Sequence, residues 1–307
     1  MSKKFVNPAD YIMPININGM EGRALRLESS NRHNKKEILL IYDVADNLEK
    51  WWGLAVVLKS YANVTIIDLP GLGGMDSFFS IGLKPTLDNM ADYIASYIKL
   101  KFNRKRLSMI AVGFGSVLVT RMMQRNKDIS AKINTLVFIN GFAHKDDFTI
   151  KGFDRYVMKM YNYVCSTKPV SDILKVTLFN TLALKIRYPL NKVRVNRGGP
   201  ARTFIRRFLI DLAKATDLRT KMYLKRELLN LDNCQVRIDA TLWHITTSNS
   251  ELNIISKLVD QHFQVIFNKY HQLPTKIGGK MPLVLNNDKL AIKYLPGRIR
   301  RELKIRG

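Results

Sequence analysis

The sequence lacks most of the features that mark a secreted, metal-binding or membrane-spanning protein. It has two cysteines, Cys165 and Cys234, in 307 residues, and their spacing fits neither a metal site nor a disulfide framework. No apolar run approaches the roughly 18–20 residues that a membrane-spanning helix needs. The N-terminal stretch MSKKFVNPADY lacks the apolar segment of a signal peptide. We therefore expect a cytoplasmic protein without a cofactor or a metal.

Acidic residues are also scarce. The chain has 25 Asp and Glu against 50 Lys and Arg, which gives a net charge of +25. Residues 151–230 alone hold 18 basic and 5 acidic side chains. Such a surface attracts polyanions, either nucleic acid or an anionic membrane surface. Because no nucleic-acid-binding motif accompanies the charge, a compositional bias with solvated charges is the other interpretation.

Strand and helix patterns alternate through the first half of the chain. A hairpin over 11–27, with a glycine-bearing turn at 19–22, comes first. Apolar strands are then predicted at 37–43, 64–68, 107–112 and 135–140, with helices at 48–61, at 87–100 and from Ser116. Strands that are apolar along their whole length, separated by helices, indicate an α/β fold. We predict a mostly parallel central sheet with an N-terminal hairpin and helices on both faces.

The alternation stops near residue 143 and returns only with a predicted strand at 236–243 and an amphipathic helix at 251–270. The intervening residues have a helical pattern and much of the basic excess. We therefore divide the chain into a first core segment (1–142), a basic helical lid insertion (143–230) and a second core segment with a basic C-terminal tail (231–307).

A glycine-rich turn follows the strand at 107–112. There Gly113-Phe114-Gly115-Ser116-Val117 leads directly into a helix, which is the strand, sharp turn and helix of a nucleophile elbow. A second loop, Asp68-Leu69-Pro70-Gly71-Leu72-Gly73-Gly74-Met75-Asp76-Ser77, looks like a D-x-x-G-x-G-x-S loop, with Met75 at the serine position and Ser77 two residues later. With the order of the elements, these motifs resemble the α/β-hydrolase fold over most of the chain outside the insertion.

The resemblance implies where catalytic groups would stand, and this sequence departs from the pattern at each place. Gly115 occupies the nucleophile's position, and Lys280 the position of the base. Thr247 or Asn249 occupies that of the acid. The loop after the third strand, which carries an oxyanion donor in the family, reads Asp43-Val44-Ala45-Asp46, and the resemblance makes Asp43, Val44 and Phe114 the candidates for the pocket and the oxyanion loop. Since acyl transfer needs nucleophile, base and acid together, the resemblance implies a hydrolase fold without hydrolase chemistry, a pseudoenzyme.

Two alternatives remain open at the sequence level. Ser116, one position later, could serve as the nucleophile of an active ester hydrolase, with His271 or His244 as base and Asp146 or Asp147 as acid. The other interpretation of Ser116 is a cap of the helix that follows. In either case we expect a pocket between the sheet and the insertion, for a small apolar or anionic ligand or for a protein partner.

Overall fold

An eight-stranded sheet forms the centre of the computed structural model, which describes residues 8–31, 33, 35–103, 105–193, 201–247, 254–275 and 288–305. The strands are β1 (Ile12–Ile17), β2 (Met20–Leu27), β3 (Glu37–Ile41), β4 (Asn63–Ile67), β5 (Leu107–Val112), β6 (Ile133–Ile139), β7 (Ile238–Thr247) and β8 (Phe267–Thr275). Their order across the sheet is β1-β2-β4-β3-β5-β6-β7-β8. Strands β3 to β8 pair in parallel, whereas β2 is antiparallel to both β1 and β4. The predicted α/β fold class is confirmed.

The N-terminal hairpin turns at Asn18 and Gly19, which both have positive φ, 53° and 81°. An Asn-Gly pair is the sequence most compatible with this tight hairpin turn. The turn is therefore shorter than the predicted 19–22, because Gly22 already lies within β2, opposite Ile15.

Helices cover both faces of the sheet, as the sequence predicts. The helices of the core are α1 (Trp52–Leu58), α2 (Leu87–Phe102), α3 (Phe114–Arg125) and α4 (Lys127–Ser130), and later α10 (Ser256–Ile266), α11 (Asp288–Ala291) and α12 (Gly297–Ile305). One buried apolar cluster joins α2, α3 and α10 to the sheet. A second cluster, on the other face, joins α1, α11 and α12 to it. Every residue of β3 and β5 is buried, which explains why both sequences are apolar except at Glu37 and Ser108.

The described residues between β6 and β7 form five α-helices, in the segment predicted to be helical. They are α5 (Gly152–Cys165), α6 (Lys168–Leu178), α7 (Thr181–Arg187), α8 (Arg202–Ala215) and α9 (Leu218–Leu228). Helix α9 contacts the loop that follows β4: the side chains of Ser77 and Thr220 are hydrogen-bonded at 2.7 Å, and Asp217 N–H donates to Gly71 O. No helix among the described residues is long and apolar enough to cross a bilayer.

The predicted helix over 251–270 is too long at its C-terminal end. Helix α10 stops at Ile266, and residues from Phe267 onward form the edge strand β8. Phe263, Ile266, Phe267 and Tyr270 keep a helical spacing across this boundary, so apolar periodicity could not locate it. The first residues of the predicted helix, 251–253, lie outside the described residues.

Candidate functional site

The sharp turn between β5 and α3 is made by a single residue, Gly113. Strand β5 ends at Val112 and α3 begins at Phe114, and between them Gly113 has φ 50° and ψ −117°. Side chains disfavour positive φ, and in a nucleophile elbow the residue at this turn is the one that the backbone presents. The elbow tip is therefore two residues earlier than the predicted Gly115.

Gly115 lies inside the first turn of α3 and serves a packing role. A Cβ built on Gly115 would come 2.5 Å from the carbonyl oxygen of Ile41 in β3. The absence of a side chain thus lets the helix approach the neighbouring strand. Ala111, Gly113 and Gly115 have the small-x-Gly-x-Gly spacing of an elbow centred on Gly113.

The carboxylate of Asp43, at the end of β3, lies against Gly113. A Cβ on Gly113 would be 2.8 Å from Cγ of Asp43, and closer still to its Oδ2. Asp43 Oδ1 accepts the Val44 N–H at 2.7 Å and the Phe114 N–H in a longer contact of 3.4 Å. In the fold's hydrolases, the N–H after the nucleophile and one from the loop after the third strand form the oxyanion hole. Here a carboxylate of the chain itself holds the corresponding two donors.

Neighbouring groups act on the pKa of Asp43 in both directions. Burial, together with the nearby carboxylate of Asp46, raises the pKa of Asp43 to about 6. Lys50 and the two N–H donors act in the opposite direction and favour the charged form. Lys50 itself is paired with Asp46, whose other oxygen accepts Trp51 Nε1 at 3.1 Å. The loop after β3 therefore carries two carboxylates at the elbow.

The Ser116 hydroxyl is buried and bonded to backbone. Its Oγ donates to the carbonyl of Gly113 at 2.7 Å and accepts the Phe142 N–H at 3.1 Å, and the residue has 0% exposure. It lies in the first turn of α3, for which Gly113 is the N-cap. Ser116 thus ties α3 to the loop after β6, and the predicted side-chain cap is not formed.

Neither histidine predicted as a partner of Ser116 is placed to take its proton. His244 Nε2 accepts the Gly141 N–H at 3.2 Å, which leaves Nδ1 to donate to Tyr270 Oη at 2.9 Å. Burial lowers the pKa of His244 to about 3. His271 stacks on Trp243, with ring centroids 4.4 Å apart. Trp243 belongs to the apolar cluster on the face of the sheet opposite α3.

The two adjacent aspartates after β6 have different roles. Asp146 is half-exposed and forms an ion pair with Arg155 at 2.9 Å. Asp147 is fully buried: its Oδ2 accepts the N–H groups of Ala143 and His144, and its Oδ1 lies 2.5 Å from Nδ1 of His262 in α10. The Asp147–His262 pair was not predicted, because 115 residues separate its members. Among the described residues, His262 has no hydrogen bond to a serine, threonine or cysteine.

Of the positions predicted for the acid and the base, Thr247 lies within the described residues. Thr247, at the end of β7, is 7% exposed, and its N–H donates to Asn140 Oδ1 at 2.9 Å. Its hydroxyl also bonds to the Asn140 amide. Asn249 and Lys280, the other positions named for acid and base, lie outside the described residues.

Among the basic side chains of α7 and α9, Lys221 interacts with the carboxylates at the elbow. Burial, and then repulsion from Lys225 and Arg187, lowers the pKa of Lys221 in α9, whereas Asp43 and Asp46 act to raise it. Partial burial and Arg187 also lower the pKa of Lys225, one helical turn further on. The sequence indicated an excess of positive charge in this segment, but not which cations would act on one another.

A separate cavity of about 400 Å³ opens at the other end of the sheet, where β3, β5 and β6 begin. It is lined by His33, Lys35, Lys36, Lys105, Arg106, Ser108 and Asn134. None of the residues predicted for catalysis is among them. In parallel sheets, ligand sites typically lie at the carboxyl ends of the strands, where Asp43 and Gly113 are found.

The described residues show no group of three or more His, Cys, Asp or Glu side chains that could hold a metal ion. Cys165 and Cys234 are both free thiols. Burial, with the carboxylates of Asp232 and Asp147 nearby, raises the pKa of Cys234 to about 11. The thiol is therefore protonated near neutral pH, which is unfavourable for a nucleophile.

The chain has the α/β-hydrolase fold. An enol-lactonase from Burkholderia xenovorans LB400 superposes with a TM-score of 0.57 at 14% identity, over 86% of this chain and 91% of that one. A hydrolase from Pseudomonas aeruginosa PA01 superposes with a TM-score of 0.63 at 13% sequence identity, over 94% of this chain and 100% of that one. A putative lipase from Acinetobacter baumannii AYE superposes with a TM-score of 0.63 at 13% sequence identity, over 95% of this chain and 91% of that one. No protein-family model and no curated protein matches the sequence. At these identities the similarity establishes the fold alone.

Proposed function

We propose that this protein has no serine-hydrolase chemistry at its elbow and binds a small anionic molecule between the elbow and the lid insertion. The observation that carries the first part is the position of Asp43. Its carboxylate accepts the N–H groups of Val44 and Phe114 and occupies the space that a side chain on residue 113 would need.

Acyl transfer requires a nucleophile at the elbow and free N–H donors for the oxyanion. Gly113 has no side chain, and Asp43 competes for both donors. Similar structures include an enol-lactonase, so the fold supports hydrolysis elsewhere, and its loss here is attributed to these two residues.

The charges around the elbow support an anionic ligand. Lys221, Lys225 and Arg187 of the insertion repel one another. A bound anion would relieve this repulsion, and a partly buried lysine with other cations nearby is typical of a binding site. With Lys50, there are four cations against Asp43 and Asp46, which favours a small dianion over a neutral ligand.

Isothermal titration calorimetry with inorganic phosphate, with acetate as the monoanionic comparison, tests the binding. Phosphate is expected to bind the full chain more tightly than acetate does, and Lys221→Met is expected to weaken phosphate binding about tenfold, as for the loss of a charge-assisted contact. Lys214→Met, at an exposed position of α8, is the matched control and should bind as the native chain does. Equal phosphate affinity in all three proteins would exclude this site.

A further inference from the structure

The outer surface of the helices between β6 and β7 is unusually apolar. The described part of the chain exposes 24 large apolar side chains, and 14 of them lie between Phe153 and Leu190. Scattered single apolar residues are normal on protein surfaces, but a concentration of this kind marks an interaction site.

Helix α5 presents an apolar ridge to solvent. The ridge residues recur at intervals of three and one, so they share one face of the helix. They are Phe153 (78% exposed), Tyr156 (61%), Val157 (46%), Met160 (46%), Tyr161 (58%) and Val164 (47%). The opposite face carries Asn162, which is buried, and Arg155, which binds Asp146. The helix is therefore inverted, with its polar face toward the protein and its apolar face outward.

The next two helices repeat the arrangement. In α6, Ile173 and Val176 are 63% and 72% exposed, and in α7, Leu182 and Ile186 are 70% and 72% exposed. The inner sides of α5 and α6 are already occupied, since the buried cluster of Cys165, Leu218 and Met222 joins them to α9. We call the exposed apolar side chains of α5, α6 and α7 the outer ridge.

Positive charge surrounds the outer ridge. Residues 151–193 carry eight Lys and Arg and only two Asp and Glu. Helix α8 follows with Arg202, Arg206 and Arg207. An amphipathic surface that combines apolar and aromatic side chains with lysine and arginine fits the interface of a bilayer with anionic headgroups, because both parts find a partner there.

We propose that the outer ridge docks the protein on the surface of an anionic phospholipid bilayer. Tyrosine is favoured at the level of the headgroups, and three of the exposed side chains of α5 are Tyr156, Tyr161 and Tyr163. A second copy of this chain suits the surface less well, since each copy carries a net charge of +25 and the two would repel. Nucleic acid would satisfy the cations but leave the outer ridge in water.

Vesicle co-sedimentation of the full chain tests the docking directly. At physiological salt, we expect binding to vesicles of phosphatidylcholine with 30% phosphatidylserine to be at least about tenfold tighter than to pure phosphatidylcholine, as for surface cations meeting anionic lipid. The triple variant Phe153→Ser, Val157→Ser, Ile173→Ser removes part of the outer ridge without touching the core and is expected to lose at least about tenfold of this binding. Leu100→Ser, at a 62% exposed site of α2, is the control and should bind like the native chain.

Fluorescence distinguishes insertion from adsorption. The native tryptophans, Trp51, Trp52 and Trp243, are all under 10% exposed, so their emission should not respond to vesicles. Val157→Trp is expected to shift to the blue on anionic vesicles, and Leu100→Trp is not. Failure of the native chain to bind anionic vesicles would overturn the proposal. Native-like binding by the triple variant, or an unshifted Val157→Trp on bound vesicles, would also overturn it, because the charges alone would then account for the adsorption.

Discussion

The carboxylate of Asp43 lies directly against the backbone of Gly113, where a Cβ would meet it at less than contact distance. The two residues come from the ends of β3 and β5, which are neighbouring parallel strands. In a hydrolase of this fold, the corresponding space holds the nucleophile and the charge that develops on the substrate. Here the space is filled from within the chain, and stability measurements can test the consequences.

Gly113→Ala should be destabilising mainly because of Asp43. We expect a cost of about 3 kcal/mol in the free energy of unfolding, from positive-φ strain together with overlap. In an Asp43→Ala background, only the strain of about 1–2 kcal/mol should remain. Urea unfolding of the four proteins measures this coupling. Gly82→Ala, with φ 75° and no atom within 4 Å of the new Cβ, gives the cost of strain alone. Equal costs for Gly113→Ala in both backgrounds would contradict the contact.

Gly115→Ala should also be destabilising, but for a different reason. The new Cβ would press on the carbonyl oxygen of Ile41, which belongs to the backbone of a central strand and cannot rotate away. We expect about 2–3 kcal/mol of destabilisation, and removal of the Asp43 side chain should leave this cost unchanged. The same urea series measures this cost. A smaller cost of Gly115→Ala in the Asp43→Ala background would show that Gly115, like Gly113, is constrained by Asp43.

Asp147 and its neighbour Asp146 form a matched pair for testing the buried carboxylate. Asp147→Asn should cost about 3 kcal/mol, because the carboxylate accepts two backbone N–H groups and pairs with His262 without access to water. Asp146→Asn removes a half-exposed ion pair with Arg155 and should cost under about 1 kcal/mol. Thermal and urea unfolding of both variants check the difference, and similar costs would count against a structural role for Asp147.

Stability should fall on acidification through His244. The folded protein keeps this side chain neutral down to about pH 3, whereas its ordinary pKa is 6.5. Below pH 6.5 the unfolded chain therefore binds a proton that the folded chain does not, and stability decreases by up to about 1.4 kcal/mol per pH unit.

The test compares native and His244→Gln proteins by urea unfolding between pH 6 and pH 4.5. The variant should show the shallower fall as the pH decreases. Asp43 and Asp68, with pKa values raised by burial to about 6 and about 7, act in the opposite direction, but they are common to both proteins and cancel. Parallel curves would mean that His244 is protonated in the folded state.

The fold class could be predicted from the sequence because the central strands are buried on both faces. Strand β5, for example, spans residues 107–112, as predicted, and all six residues are buried. The edge strand β8 could not be predicted from the sequence, because its residues continue the helical spacing of α10 and alternate only weakly in exposure. Apolar periodicity in the sequence identifies an element whose burial follows a single period. It fails where a helical spacing continues into a strand, as at the boundary between α10 and β8.

The candidate site was harder to predict than the fold. The motif was found, but its centre was assigned to Gly115, because the pattern was aligned on Ser116 and not on the end of the strand at Val112. Asp43 was predicted to lie in the oxyanion loop, but its contact with Gly113 depends on the pairing of β3 with β5. The pairing of Asp147 with His262, and the effect of Asp43 and Arg187 on the pKa of Lys221, depend on tertiary structure that local sequence does not encode.

The most direct test of the central claim is mass spectrometry of the native chain after treatment with a fluorophosphonate probe, alongside an active serine hydrolase as the positive control. With Gly113 at the elbow and Asp43 on its N–H donors, we predict no labelled peptide from this protein. A label on Ser116 that is lost in Ser116→Ala would contradict the account, because it would show that this hydroxyl leaves its backbone partners and reacts.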